Sequence, residues 1–193
     1  ADRGVTEIAV TYTNNDYGQG LADSFAAAFE EMGGTVTLVA AHEDGRADYS
    51  AEVGALASAG GDVLVVAGYI DQGGPGIIQA ALDTGAFDTF VLPDGMVGNA
   101  ITERFGNDID GSFGQFPGTD SEGAEIYFGL AEAAGFDGTQ AFSAEAYDAA
   151  ALILMAMQAA GSTAPGDYAE HIMDLANAPG EPILPGELGR ALE

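Results

Sequence analysis

Val63-Leu64-Val65-Val66-Ala67 runs without a polar interruption into Gly68-Tyr69-Ile70-Asp71-Gln72-Gly73-Gly74-Pro75. An unbroken apolar run of strand length is what a strand covered on both faces by helices looks like. The glycine-rich turn and the proline then open a helix over about Pro75 to Thr84, since proline suits a first helical turn. Val63 to Ala67 is therefore the expected sheet centre. Working outward, Val5 to Tyr12 reads as a strand, and Asp16 is placed to cap a helix whose apolar positions are Leu21, Phe25, Phe29 and Met32, ended by Gly33-Gly34. Thr35 to Ala41 is the next strand, Tyr49 to Ala59 a weaker helix, and Thr89 to Leu92 a further strand. The repeating strand-helix order predicts an α/β fold with a doubly wound parallel sheet.

The alternation stops near Gly111. Gly111 to Gly118 reads as an extended crossing segment, followed by appended C-terminal helices over Ser121–Ala134, Ser143–Ala160 and Asp167–Ala176. The middle helix is apolar almost all round between Ala146 and Met157, so it expects burial on most sides. Its natural partner is expected outside this sequence, and through this helix the chain is expected to self-associate. Because the chain begins at Ala1 without methionine or a signal-like apolar region, it reads as a processed or excised piece.

Composition narrows the function. With 193 residues and 47% hydrophobic content the chain can bury a substantial core. Its formal charge is −27, from 31 acidic residues against four arginines, Arg3, Arg46, Arg104 and Arg190, and no lysine. That field repels phosphate backbones and anionic headgroups, so neither nucleic acid nor a membrane surface is an expected partner. No stretch approaches the roughly 20 apolar residues of a bilayer span. The absence of cysteine removes disulfides, thiolate nucleophiles and zinc-thiolate sites.

Three turns carry groups suited to gripping a small polar ligand: Tyr17 in Asn14-Asn15-Asp16-Tyr17-Gly18-Gln19-Gly20, Tyr69 after the central strand, and Asp94 in Pro93-Asp94-Gly95. In a parallel α/β sheet such turns line the carboxyl edge, where ligands bind. A structural reading stands beside this one. The tyrosines also fit half-buried aromatics at helix starts, and Asp94 also fits the cap of its own turn. Asp71 and Gln72 read as a solvated loop. Gly18-Gln19-Gly20 fails as a dinucleotide loop because Asp23 stands at the third glycine position. His42 and His171 are the only histidines and have no metal-ligand spacing, so they are assigned to surface or core. Asp108-Ile109-Asp110-Gly111 lacks the ligand order of a calcium loop, and Gly118-Thr119-Asp120-Ser121 reads as linker and helix cap. No metal or cofactor is expected. A hydrolase or transferase would need Gly-x-Ser-x-Gly, a cysteine, a P-loop or a Schiff-base lysine, and a receiver domain would need its lysine. Enzyme activity is not expected.

Four segments in order resemble one family: Asn15-Asp16-Tyr17-Gly18-Gln19-Gly20-Leu21-Ala22, Gly68-Tyr69, Leu92-Pro93-Asp94-Gly95-Met96-Val97-Gly98-Asn99, and Ala146-Tyr147-Asp148-Ala149. The chain is similar to type I periplasmic binding proteins, specifically the branched-chain amino-acid (Leu/Ile/Val) receptors of ABC transporters. The resemblance implies two α/β lobes with a solute between them, residues 1–116 forming the second lobe and residues 117–193 crossing back toward the first. It implies a periplasmic solute receptor with a membrane permease as partner and a small amino acid as ligand. Tyr17, Tyr69 and Asp94 would bind that ligand, the acid at its α-ammonium group. Family members often carry glutamate where Asp94 stands, which shortens the reach here and leaves open a sensor of another small carboxylate or aromatic solute.

Overall fold

The computed structural model describes residues 3–115, 117–118, 120–177 and 179–192. Phe116, the expected lobe boundary on the crossing segment, and Thr119 of the expected linker lie outside the described residues. The chain divides into two compact units, Ala1–Phe116 and Pro117–Glu193.

In the first unit the elements run β1 (Glu7–Thr13), α1 (Asp16–Glu31), β2 (Thr35–His42), α2 (Ser50–Ala59), β3 (Val63–Ala67), α3 (Gly74–Thr84), β4 (Phe90–Leu92), a 3-10 turn (Asp94–Met96), α4 (Asn99–Phe105), a second 3-10 turn (Gly106–Ile109) and β5 (Phe113–Gly114). The strands form one sheet in the order β2-β1-β3-β4-β5, and every adjacent pair is parallel. The expected doubly wound architecture is thus present, with β3 in the middle and all five of its residues buried. Alternation explains why. Val63 and Val65 join Ile8, Val10, Ala22 and Phe29 in a core on the α1 side. Leu64 and Val66 join residues of α2, α3 and α4 in the core on the other side. Each face of β3 therefore needs apolar residues, and the continuous apolar run follows.

Local details differ from the sequence expectation in two places. Asn15, not Asp16, caps α1: its backbone is extended and its side chain accepts from the Gly18 N–H at 2.8 Å, while Asp16 is the first helical residue. A cap must stay outside helical φ/ψ, and that condition falls on the residue that leaves the strand. The segment expected to be extended from Gly111 opens instead with a turn, Gly111 having φ of 91°, and becomes strand only at Phe113 and Gly114, which pair with Val91 and Leu92 as a fifth strand.

The second unit contains α5 (Glu122–Ala134), α6 (Ser143–Ala160), α7 (Pro165–Ala176) and a short α8 (Leu188–Ala191). The Ser121 hydroxyl caps α5 by accepting from the Ala124 N–H at 3.2 Å. Tyr127 is buried, its ring 5.3 Å from that of Tyr147 and its hydroxyl bonded to Ser143. The apolar α6 is far less covered than its composition demands: only Ala156 is buried, while Ile153 and Leu154 are exposed in company with Phe128, Leu130, Phe136, Phe142, Met173, Leu175 and Leu192.

Candidate functional site

The strand order places a reversal between β1 and β3, since the chain goes out from β1 to β2 and returns to β3 on the other side. Turns diverge at such a switch point and leave a crevice at the carboxyl edge. Tyr17 follows β1, Tyr69 follows β3 and Asp94 follows β4. All three expected site residues are brought together there.

Glycines make the approach possible. A Cβ on Gly18 would lie 2.2 Å from the Thr13 carbonyl oxygen, so only glycine lets the first turn of α1 fold back against the end of β1. The Tyr17 hydroxyl then donates to Asp94 Oδ1 at 2.8 Å. The Tyr17 and Tyr69 rings stack, with centroids 5.1 Å apart and planes 27° from parallel. The Tyr69 turn is joined to the Asp94 turn by the Ile70 N–H, which donates to the Gly95 carbonyl at 2.8 Å. All three site residues are half-buried.

Burial and the Asp94 carboxylate together push the Tyr17 phenol up to about 12, against an opposing pull from the Gly95 backbone. The phenol therefore stays a proton donor at neutral pH. Among the described residues no arginine is paired with Asp94. Arg46 pairs with Glu52, Arg190 with Glu181 and Glu187, and Arg3 and Arg104 lie over the rings of Phe113 and Phe105. Asp94 Oδ1 is satisfied by Tyr17, and Oδ2 makes no protein hydrogen bond among the described residues. A carboxylate beside two aromatic faces, without a cation of its own, is suited to a small ammonium-bearing ligand.

Asp71 and Gln72 are exposed in the loop beyond Tyr69, as expected. His42 is a core residue: it is buried, and its Nδ1 lies 2.9 Å from the Thr11 hydroxyl. Among the described residues no group of histidine, aspartate and glutamate is arranged to hold a metal ion. A separate groove of about 300 Å³, bordered by Met96, Val97, Ile101, Ile109 and Phe113, runs beside β5 away from the tyrosine pair. Its one acidic side chain, Asp110, has no aromatic partner comparable to that of Asp94, and the chemistry favours the switch-point site. Sequence reasoning did not single out Gly95 as more than a turn residue, nor Asp44 at all. The Asp-Gly pair carried a signal for the first, a close backbone approach, and nothing local marked the second.

A parallel sheet with aromatic and acidic turns converging at its switch point is the arrangement in which α/β folds place a small-ligand site. The periplasmic binding protein family model matches residues 1–178, and the chain belongs to that family. It is 31% identical over 194 residues to Leu/Ile/Val-binding protein homolog 1 of Brucella melitensis biotype 1, covering 93% of this chain and 52% of the relative. Leu/Ile/Val-binding protein homolog 2 of Brucella abortus (strain 2308) is likewise 31% identical, over 84% of this chain and 44% of the relative. Among solved structures, the leucine-binding protein LivK of Thermotoga maritima MSB8 superposes with a TM-score of 0.74 at 25% identity, covering 89% of this chain and 50% of that one. A periplasmic binding protein type 1 from Bordetella pertussis Tohama I shares the fold with a TM-score of 0.75 at 19% identity, over 88% of this chain and 50% of that one. The chain spans about half the length of the curated relatives it matches. It is a type I periplasmic binding protein chain, and its relatives are solute-binding proteins rather than enzymes.

Proposed function

We propose that this protein is the solute-binding component of an ABC transporter and holds a small amino acid, branched-chain or closely related, against Tyr17, Tyr69 and Asp94. The observation that carries the reading is the Asp94 carboxylate, fixed by the Tyr17 hydroxyl at 2.8 Å and without a protein cation among the described residues. An α-ammonium group there would gain a charge-assisted hydrogen bond, and the stacked rings would add cation-π attraction and apolar area. The names of the Brucella relatives and of the Thermotoga protein support the ligand class. Residues 1–116 would then be the second lobe, with residues 117–193 crossing toward the first. The cleft would close only with a second wall, which desolvates the ligand. A periplasmic location and a permease partner accompany this reading; among the described residues no helix is long and apolar enough to cross a membrane.

The test is calorimetry on a protein extended to the length of the relatives, with L-leucine, L-isoleucine and L-valine against a panel of small carboxylates and aromatics. Asp94→Ala should weaken amino-acid binding by about 2 to 5 kcal/mol, because it leaves an ammonium buried without its partner. Unchanged affinity would overturn the assignment of Asp94. Binding confined to a carboxylate or aromatic lacking the ammonium would replace the amino-acid receptor with a sensor of that solute.

A further inference from the structure

The loop after β2 supplies a carboxylate with two separate anchors. Asp44 Oδ1 accepts from the Gly73 N–H at 2.9 Å, and Oδ2 accepts from the Thr13 hydroxyl. Gly73 closes the turn that carries Tyr69 and stands immediately before α3. Thr13 ends β1, and its carbonyl oxygen is the surface against which Gly18 closes the turn that carries Tyr17. One carboxylate thus ties the base of one tyrosine turn to the base of the other. Its position before the first turn of α3 adds a favourable interaction with the helix dipole.

Asp44 is itself held. The Tyr49 hydroxyl donates to the Glu43 carbonyl at 3.0 Å and accepts from the Arg46 N–H at 3.2 Å, which pins the loop on both sides of Asp44. The space around Gly73 is already filled: a Cβ there would lie 2.8 Å from both Asp44 Oδ1 and the Tyr49 hydroxyl, and 3.0 Å from His42 Cδ2. Thr13 and His42 are buried. In such a dense setting the Tyr69 turn cannot move toward β2; the bond to Asp44 keeps its β2 side from moving away, while the Ile70 N–H bond to the Gly95 carbonyl holds the side nearer Asp94. Stacked rings at 5.1 Å depend on both turns holding their places.

We infer that Asp44 is a positioning residue, which sets the Tyr17–Tyr69 pair by bridging Thr13 and the Gly73 N–H. Its consequence for binding rests on the proposed role of that pair, but its effect on the rings does not. The first measurement therefore uses no ligand. Nuclear Overhauser contacts between the Tyr17 and Tyr69 ring protons are recorded on the 193-residue chain for the parent, Asp44→Ala, Asp44→Asn and Thr13→Val. Asp44→Ala removes both anchors and should abolish the ring contacts while the amide pattern of the sheet persists. Asp44→Asn keeps an oxygen for Gly73 and a polar group for Thr13, and should retain them. Thr13→Val removes one anchor and should weaken them. Ring contacts at parental intensity in a folded Asp44→Ala chain would overturn the inference. Should that variant fail to fold, undiminished contacts in Thr13→Val would overturn it equally. The second measurement is L-leucine titration of the protein extended to the relatives' length, where Asp44→Ala should weaken binding by about 10- to 100-fold, the range known for outer contacts that orient metal ligands. Lost ring contacts with unchanged leucine affinity would uphold the positioning role and overturn the amino-acid reading of the tyrosine pair.

Discussion

Gly95→Ala perturbs the candidate site at the point where its two turns touch. The φ angle of Gly95 lies outside the left-handed region, so alanine meets no backbone strain there, and the effect is steric. A Cβ would sit 2.4 Å from the Gly68 carbonyl oxygen, 3.2 Å from the Tyr17 hydroxyl and 3.3 Å from Tyr69 Cδ1. Ordinary contact begins at 3.4 Å, so the Asp94 turn must retreat by 3.4 − 2.4 = 1.0 Å from a rigid backbone atom. That retreat strains the bond from the Ile70 N–H to the Gly95 carbonyl, now 2.8 Å. Overpacking costs about 1 to 3 kcal/mol and the weakened hydrogen bond about 0.5 to 1.5 kcal/mol, together about 1.5 to 4.5 kcal/mol. For a unit of this size the melting temperature should fall by about 4 °C per kcal/mol, or about 6 to 18 °C. Circular dichroism melts of the variant beside the parent check this. Gly54→Ala serves as the control, because Gly54 lies inside α2 with nothing within 4 Å of a Cβ. It should gain about 0.5 to 1 kcal/mol from better helix propensity. If Gly95→Ala melts with the parent, the close approach of the two turns does not set the site, and the reasoning fails.

Burial holds His42 below its ordinary value of 6.5, against the opposing fields of Asp44, Glu52 and Glu43. The unfolded chain therefore takes up this proton first, so the stability is full above pH 6.5 and is lost as pH falls from there through the folded value. Urea midpoints on either side of pH 6.5 should show this loss, and His42→Gln should remove that part of it; an identical pH profile in the variant would exclude His42 as its source. A charge of −27 should make stability climb from low salt to molar sodium chloride, as the Debye length contracts from about 10 Å to about 3 Å. A flat melting curve would mean that the acids are spaced or paired well enough to be harmless. The apolar side chains left open on the second unit should drive self-association of the 193-residue chain, and Leu154→Glu, at a side chain 53% exposed, should reduce it. Light scattering that shows a monomeric parent at all concentrations would contradict this expectation.

The local devices of this chain were open to sequence reading because each is written in neighbouring residues. The run Val63 to Ala67 announced a strand with two covered faces, and those residues divide between the two cores. Pro75 and Gly85 mark the ends of α3, as proline and glycine do. Tyr17, Tyr69 and Asp94 were legible as candidates for the same reason: each follows a strand within a few residues. The short β5 was harder. Two residues have no periodicity, and Phe113 and Gly114 are a strand only because Val91 and Leu92 lie beside them.

By itself, then, the sequence determined the order of elements, the central strand, the parallel sheet and the edge that carries the candidate site, because hydrophobic period and turn chemistry act over a few residues. Only the tertiary structure decided how that candidate site is assembled. Tyr17 meets Asp94 across 77 positions of chain, Gly95 matters for a carbonyl on another turn, and Asp44 joins two turns to which it is not adjacent in sequence. Such contacts depend on strand order and on distances of an ångström between backbones, which no local pattern encodes. The same holds for α6, whose apolar residues announce burial while its surroundings, and not its composition, leave Ile153 and Leu154 exposed.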